Sequence, residues 1–329
     1  MFKSFAAVAS LGVASAINVH QFEFMQYLSK HGKSYSTLEE FNARMELFAA
    51  RHAIIEEHNA DETRTSTMGH NFLSDYTEEE KANLRGLSGE PMFSGEKFVA
   101  GNAPIANSVN WVTAGNVGAV KDQGQCGSCW AFSATGSVES AISVATGASP
   151  MNLSEQQLVS CSSAYGNNGC GGGWYYWAWD YLKVNNQTTT ADYPYTSGNF
   201  GITGTCSWSG SGVATVSSYV QVGQTNADIM AAINMKPVSV ALDAQRAVFQ
   251  SYTSGVVTTG CGTMLDHAVM AVGYGNDAAT GLDYFLVRNS WGSSWGDNGY
   301  IKIAQSATGS APGYCGINKA VYYVNAAMA

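Results

Sequence analysis

The spacing of apolar residues changes character along the chain. Trp130, Ala134, Val138, Ala141 and Ile142 fall on one helical face, and Thr146-Gly147 closes that stretch with glycine past the helix end. Leu38 to Asn59 reads as an amphipathic helix. Phe41, Met45, Phe48 and Ile55 lie near one face, while Glu39, Glu46, Arg51 and Glu57 lie elsewhere. Leu153–Val159, with Ser154 as its cap, and Tyr175–Val184 are shorter helical stretches. Beyond Gly210 the pattern turns to β-branched and aromatic runs bounded by Gly, Asn or Asp. These predict strands at Val213–Val222, Val238–Leu242, His267–Gly273, Tyr284–Asn289 and Tyr300–Ala304. A mostly helical half thus precedes a mostly β half, an α+β chain with no internal repeat.

Two stretches stand apart from these elements. Lys3 precedes an apolar, alanine-rich run that ends in Ala14-Ser15-Ala16, the pattern of a secretory signal peptide over residues 1–16. The run is too short for a permanent membrane-spanning helix. Gly86 to Ala106 scatters Gly, Ser and Pro and reads as an exposed linker, where proteolysis is expected near Asn102–Asn107.

Composition narrows the function. With 16 basic against 25 acidic residues, the chain lacks the positive surface that nucleic acid requires. Its 329 residues allow more than one domain. The seven cysteines, Cys126, Cys129, Cys161, Cys170, Cys206, Cys261 and Cys315, lie in the last two thirds. In an oxidising compartment an odd count suggests three disulfides and one thiol; in the cytosol the same set reads as free thiols or metal ligands.

Cys129 opens the first helical pattern. Unpaired N–H groups and the helix dipole there favour an anion, so a thiol ionises more readily and becomes a nucleophile. Cys126 and Cys129 also fit a loop tether, a zinc knuckle or a thioredoxin-like pair. A catalytic thiol needs a base, for which histidine is suited. His20, His31, His52, His58 and His70 lie in the cysteine-free stretch before Glu96, which leaves only His267 downstream. Acid would charge the five upstream histidines below about pH 6.5 and, together with neutralised partners such as Asp75, loosen that stretch.

Gln123-Gly124-Gln125-Cys126-Gly127-Ser128-Cys129-Trp130-Ala131-Phe132 resembles the active-site segment of papain-like cysteine proteases of the cathepsin L type. Leu265–Gly275 resembles the family's histidine strand, and Asn289-Ser290-Trp291-Gly292-Ser293-Ser294-Trp295-Gly296 its asparagine motif. Upstream, Glu40, Arg44, Phe48, Ile55 and Asn59 resemble the prodomain helix, with Arg51 where the family has Asn. Gly69, Asn71 and Asp75 resemble its second motif, with Leu73 where Phe is usual.

The resemblance implies a two-lobed papain-like fold, helical over about 115–212 and barrel-like over about 213–320, with the cleft between. An inhibitory prosegment (17–104) precedes the peptidase domain (105–329). It implies Cys129 as nucleophile in a thiolate–imidazolium pair with His267, oriented by Asn289, with Trp291 covering that bond and Gln123 as oxyanion donor. It places substrate against Gly172, Gly173, Asp266 and Trp291. The second pocket is formed by Trp174, Tyr175, Ala241, Leu265 and Ala320, which predicts a bulky apolar residue one position before the scissile residue. It pairs Cys126–Cys170, Cys161–Cys206 and Cys261–Cys315.

No occluding insertion falls between Cys129 and Cys170, so an endopeptidase is expected. The expected partners are protein and peptide substrates and the chain's own prosegment. A monomer without metal, cofactor, nucleic acid or membrane is expected, in the secretory pathway and bound for a lysosome, vacuole or the exterior. Asn152-Leu153-Ser154 and Asn186-Gln187-Thr188 are glycosylation sequons. A non-catalytic binding relative, or an intracellular redox or metal protein using Cys126 and Cys129, are the competing readings.

Overall fold

The structure is a computed structural model that describes residues 19–87, 89, 97–101 and 104–329, so the signal-peptide pattern and part of the expected maturation stretch lie outside the described residues. The chain opens with α1 (Val19–His31) and α2 (Leu38–Ala60), followed by strand β1 (Ser66–Met68), α3 (Glu78–Ala82) and two short strands, β2 (Lys97–Phe98) and β3 (Val109–Asn110). The helical lobe carries α4 (Cys129–Thr146), α5 (Glu155–Cys161) and α6 (Tyr175–Leu182). There follow β4 (Ala214–Val222), α7 (Asn226–Met235), β5 (Val238–Leu242), α8 (Ala247–Gln250), β6 (Tyr252–Val257), β7 (His267–Asn276), β8 (Asp283–Arg288), β9 (Tyr300–Ala304) and β10 (Val321–Met328).

α4 is the central element. Its residues from Cys129 to Ser143 are all buried, so it is enclosed on every side rather than amphipathic. Several of its polar side chains are paired across the lobe boundary, as burial favours, while Ser140 Oγ and Glu139 Oε2 have no partner among the described residues. Ser133 and Ser137 bond Ser239 of β5, and Glu139 receives Lys121 at 2.8 Å. Gly147 ends α4 in the left-handed region, its N–H returning to the Ser143 carbonyl at 2.8 Å.

The strands order as β1-β6-β9-β8-β7-β5-β10-β4-β2, with β3 on β7. Segments preceding the peptidase lobes therefore supply both ends of this order: β1 pairs antiparallel with β6, and β2 pairs parallel with β4. β7 sits centrally between β5 and β8 and carries His267 at its start. One apolar core fills the β lobe, around Val240, Phe249, Tyr252, Phe285, Trp295 and Ile301, and a second surrounds Trp130, Trp174, Trp179 and Leu158. Phe24, Tyr27 and Phe48 form a third, smaller core between α1 and α2.

Two expectations are corrected. Arg51 is not on the solvent side of α2. It lies three residues after Phe48 and four before Ile55, on the same buried face, where it is 7% exposed and donates to Gln250 Oε1 at 2.9 Å. The linker is not simply exposed. Ala100 N–H bonds Asp228 Oδ1 at 2.7 Å, and Ala106 N–H bonds Asn234 Oδ1 at 3.1 Å. Among the described residues no helix is long and apolar enough to cross a membrane.

Candidate active site

The sulfur of Cys129 stands at the start of α4, whose cap residue Ser128 accepts the Ala131 and Phe132 N–H groups through its carbonyl at 2.8 and 3.2 Å. Among the described residues it is the free cysteine; disulfides join Cys126 to Cys170, Cys161 to Cys206 and Cys261 to Cys315. Its Sγ accepts the backbone N–H of Ala268 at 3.4 Å, which brings the first turn of α4 against the first residues of β7. His267, the residue before Ala268, is fully buried, and its Nε2 lies 2.7 Å from Asn289 Oδ1. Since a carbonyl oxygen only accepts, Nε2 carries the proton and Nδ1 is the basic nitrogen of the neutral ring. Nδ1 has no hydrogen-bond partner among the described residues.

Asn289 is held in turn, its Oδ1 also accepting the Ser290 N–H at 2.8 Å. The Trp291 ring lies 4.7 Å from the imidazole, centroid to centroid. Gln123 is locked to the same segment: its N–H donates to the Ser290 carbonyl at 2.9 Å and its Oε1 accepts Ser290 Oγ–H at 2.7 Å. Ser290 and Tyr195, which bonds the Gln123 carbonyl at 2.8 Å and Ser128 Oγ at 2.8 Å, are supports the sequence did not reveal. Only neighbourhood in space identifies them.

The cleft is filled by the chain's own Leu84–Leu87. Gln123 Nε2 donates to the Leu84 carbonyl at 2.9 Å. Gly86 N–H points at Cys129 Sγ at 3.2 Å, and Gly86 O accepts Gly173 N–H at 2.9 Å. Leu87 forms a parallel bridge with Gly173, and its N–H bonds the Asp266 carbonyl at 3.2 Å. Arg85 Nε lies 2.8 Å from Asp266 Oδ2. Only glycine fits at 86, because a Cβ there would stand 1.8 Å from the Gly127 carbonyl oxygen. Gly172 has φ 110°, a backbone state that side-chain-bearing residues avoid.

Leu87 and Leu265 pack against the cluster that contains Trp174, Tyr175, Ala241 and Ala320. Tyr175 Oη–H donates to the Ala320 carbonyl at 3.0 Å. Nothing in the composition of Arg85, Gly86 and Leu87, which is that of a loop, points to their place in the cleft.

Burial sets the electrostatics of the closed cleft. Burial pushes the Cys129 thiol up to about 11 and the His267 imidazole down to about 4, with the Arg85 charge also disfavouring imidazolium. Both groups are therefore neutral beneath the prosegment. Burial also pushes Asp266 up to about 6, against the lowering effects of the Ala244 N–H and Arg85.

A cysteine thiol, an asparagine-held histidine and an amide donor, joined across two lobes and covered by an upstream segment, define a thiol hydrolase kept in precursor form. The chain belongs to the papain family of cysteine proteases, whose family description matches residues 105–325. Residues 24–80 match the cathepsin propeptide inhibitor domain, so the protein is made as a proenzyme with an intramolecular inhibitor. It is 40% identical over 326 residues to digestive cysteine proteinase 2 of Homarus americanus, covering 95% of this chain and 96% of the relative. It is 38% identical over 302 residues to the probable cysteine protease RD21C of Arabidopsis thaliana, covering 89% of this chain and 65% of that protein. Digestive procathepsin L 3 from the larval midgut of Tenebrio molitor superposes with a TM-score of 0.81 at 34% identity, covering 93% of this chain and 99% of the other.

Proposed function

We propose that the protein is an endopeptidase in which Cys129 attacks the peptide carbonyl and His267 shuttles the proton. The observation that carries this reading is the free Cys129 sulfur, bonded by Ala268 N–H beside the 2.7 Å His267–Asn289 pair. Once the prosegment leaves, water and substrate replace the apolar cover, and the desolvation that keeps both groups neutral falls away. The proton then moves from sulfur to Nδ1, giving thiolate and imidazolium. The thiolate adds to the carbonyl carbon, and the developing oxyanion is met by Gln123 Nε2 and the backbone N–H of Cys129. Imidazolium gives its proton to the leaving amine as the C–N bond breaks, leaving a thioester. Neutral His267 next takes a proton from water, hydroxide attacks the thioester, and the acid product departs as the thiol re-forms.

The prosegment occupies this machinery without being cut. It offers the sulfur an N–H, that of Gly86, instead of a carbonyl carbon, and it engages the Gln123 amide through Leu84. Leu87 packing on the cluster of Trp174, Tyr175, Ala241 and Ala320 supports preference for a bulky apolar residue one position before the scissile residue. Gly173 supports substrate by strand-like backbone pairing, the bonding Leu87 and Gly86 use in the precursor.

Activation by acid is part of the same proposal. Burial raises the affinity of Asp266 for a proton while the prosegment's Arg85 lowers it, so Asp266 is assigned no part in acid release. His31 has the favourable sign. Burial and the charges of Lys30 and Lys33 hold it below its usual range, with Asp75 acting the other way. The folded prosegment therefore loses stability as pH falls from about 6.5 toward the depressed value. The signal-peptide pattern and three disulfides support a secretory-pathway destination.

The test is Cys129→Ser in the full-length chain, exposed to acid with a quenched peptide substrate. Loss of both self-processing and peptide cleavage is expected. Retained cleavage would refute Cys129 as nucleophile.

A further inference from the structure

Side chains from α1 and α2 converge on a point the peptidase mechanism does not use. His20 and Glu23 stand one turn apart on α1, and His52 faces them from α2. His20 Nδ1 lies 3.6 Å and His52 Nε2 3.9 Å from the same oxygen, Glu23 Oε2. All three ligand atoms fall within 4.8 Å of one another. Glu23 Oε2 is screened from solvent and has no hydrogen-bond partner among the described residues, an expensive state for a carboxylate oxygen.

The second nitrogen of His52 is already held. Its Nδ1 lies 3.1 Å from His70 Nε2, the two rings stack at 5.3 Å, and His70 Nδ1 lies 3.0 Å from Ser74 Oγ. A metal-binding imidazole is characteristically oriented through its other nitrogen in this way, which fixes the ring and leaves the opposite nitrogen to the ion. Here that opposite nitrogen is the one turned to Glu23.

We propose that His20 Nδ1, Glu23 Oε2 and His52 Nε2 bind a divalent zinc-class ion, with water in the fourth position. Two imidazoles and one carboxylate are a recurrent zinc set, whereas calcium and magnesium take oxygen ligands almost exclusively. Bond lengths of about 2.0–2.2 Å in tetrahedral geometry place neighbouring ligand atoms about 3.3 Å apart. The two pairs at 3.6 and 3.9 Å, and the His20–His52 pair within 4.8 Å, reach that by side-chain rotations. The ion would clip α1 to α2 beside the Phe24–Tyr27–Phe48 core and so stabilise the inhibitor domain, not the catalytic lobes. The site is lost when the prosegment is removed.

The test uses the full-length Cys129→Ser precursor, which cannot process itself and lacks the only free thiol among the described residues. Zinc chloride is titrated by calorimetry in a non-chelating buffer, with thermal melts alongside. One zinc per chain and a rise in Tm at saturation are expected. Glu23→Gln and His20→Gln should each weaken binding at least tenfold and abolish the Tm rise. His20 is half exposed, and a Tm of the metal-free His20→Gln precursor equal to that of the metal-free parent separates ligand loss from misfolding. Cobalt(II) in place of zinc should give the visible absorption of a tetrahedral site. No binding at 0.1 mM zinc, undiminished binding in the two variants, or equal binding by the mature form would each overturn the site.

Discussion

Gly86→Ala is the sharpest probe of how the prosegment silences the cleft. The new Cβ would stand 1.8 Å from the Gly127 carbonyl oxygen, 2.3 Å from its carbon and 2.9 Å from its Cα. These are backbone atoms beside the Cys126–Cys170 bridge, so the loop cannot give way cheaply. To reach ordinary contact at 3.4 Å the segment must retreat by roughly the difference, about 1.6 Å. That breaks the Gly86 N–H bond to sulfur, the Gly173-to-Gly86 bond and the Leu87-to-Asp266 bond. At about 1 kcal/mol each the loss is about 3 kcal/mol, or on the order of 100-fold in the population of the open cleft. The assay is the rate at which a small alkylating agent modifies Cys129 in the intact precursor at neutral pH, which tracks the open population when opening is fast. Gly101→Ala is the control, because nothing lies within 4 Å of its would-be Cβ. If folded Gly86→Ala precursor is alkylated no faster than wild type, steric exclusion at Gly86 is not what seals the site.

Other consequences are measurable. His31→Gln removes a group whose acid protonation favours the released prosegment, so self-processing should need a lower pH; an unchanged pH midpoint would clear His31 of that role. With Cys129 pushed up to about 11 and His267 down to about 4, precursor alkylation should climb with pH through the alkaline range, while the mature enzyme should already react near pH 5. A precursor as reactive as mature enzyme at pH 5 would contradict the neutral couple. Ala320→Glu puts a carboxylate into the apolar cluster against which Leu87 and Leu265 pack, and should shift a peptide panel from Leu toward Arg before the scissile residue. Equal turnover of the Arg and Leu peptides by the unmodified enzyme would refute the apolar pocket.

What the sequence disclosed and what it withheld divide along a physical line. Local chemistry was legible. Ser154 caps α5 by accepting the Gln157 N–H, and Gly147 ends α4, because capping is decided by residues a few positions apart. α1, α7, β6 and β10 were not read as elements, although α7 carries a Thr225–Asp228 capping box and β10 alternates around Tyr322 and Val324. β10 gains its identity from pairing with β4 and β5 and from α4 beneath it, none of which is near in sequence.

The same distinction explains the cleft. The candidate residues Gln123, Cys129, His267 and Asn289 are singled out by resemblance because each sits in a distinctive run of residues. Arg85, Gly86 and Leu87 sit in no such run, yet they contact Asp266, Cys129 and Gly173. An inhibitor needs only backbone bonds, one close glycine and an apolar side chain, all cheap in sequence information. A catalytic group must match the reacting atoms in kind and position, which restricts its neighbours. The asymmetry accounts for Arg51 as well. Read alone it belongs to solvent; in the fold the distant Gln250 side chain accepts from its Nη2 and the Glu78 carboxylate favours its charge, while Nη1 has no partner among the described residues. Arg51→Leu would leave Gln250 Oε1 without that donor in a buried interface. It should therefore loosen the prosegment even though it makes the α2 face more apolar, and faster acid processing of the folded variant is the expected result. Slower processing would mean that apolar contact, not this hydrogen bond, governs the interface.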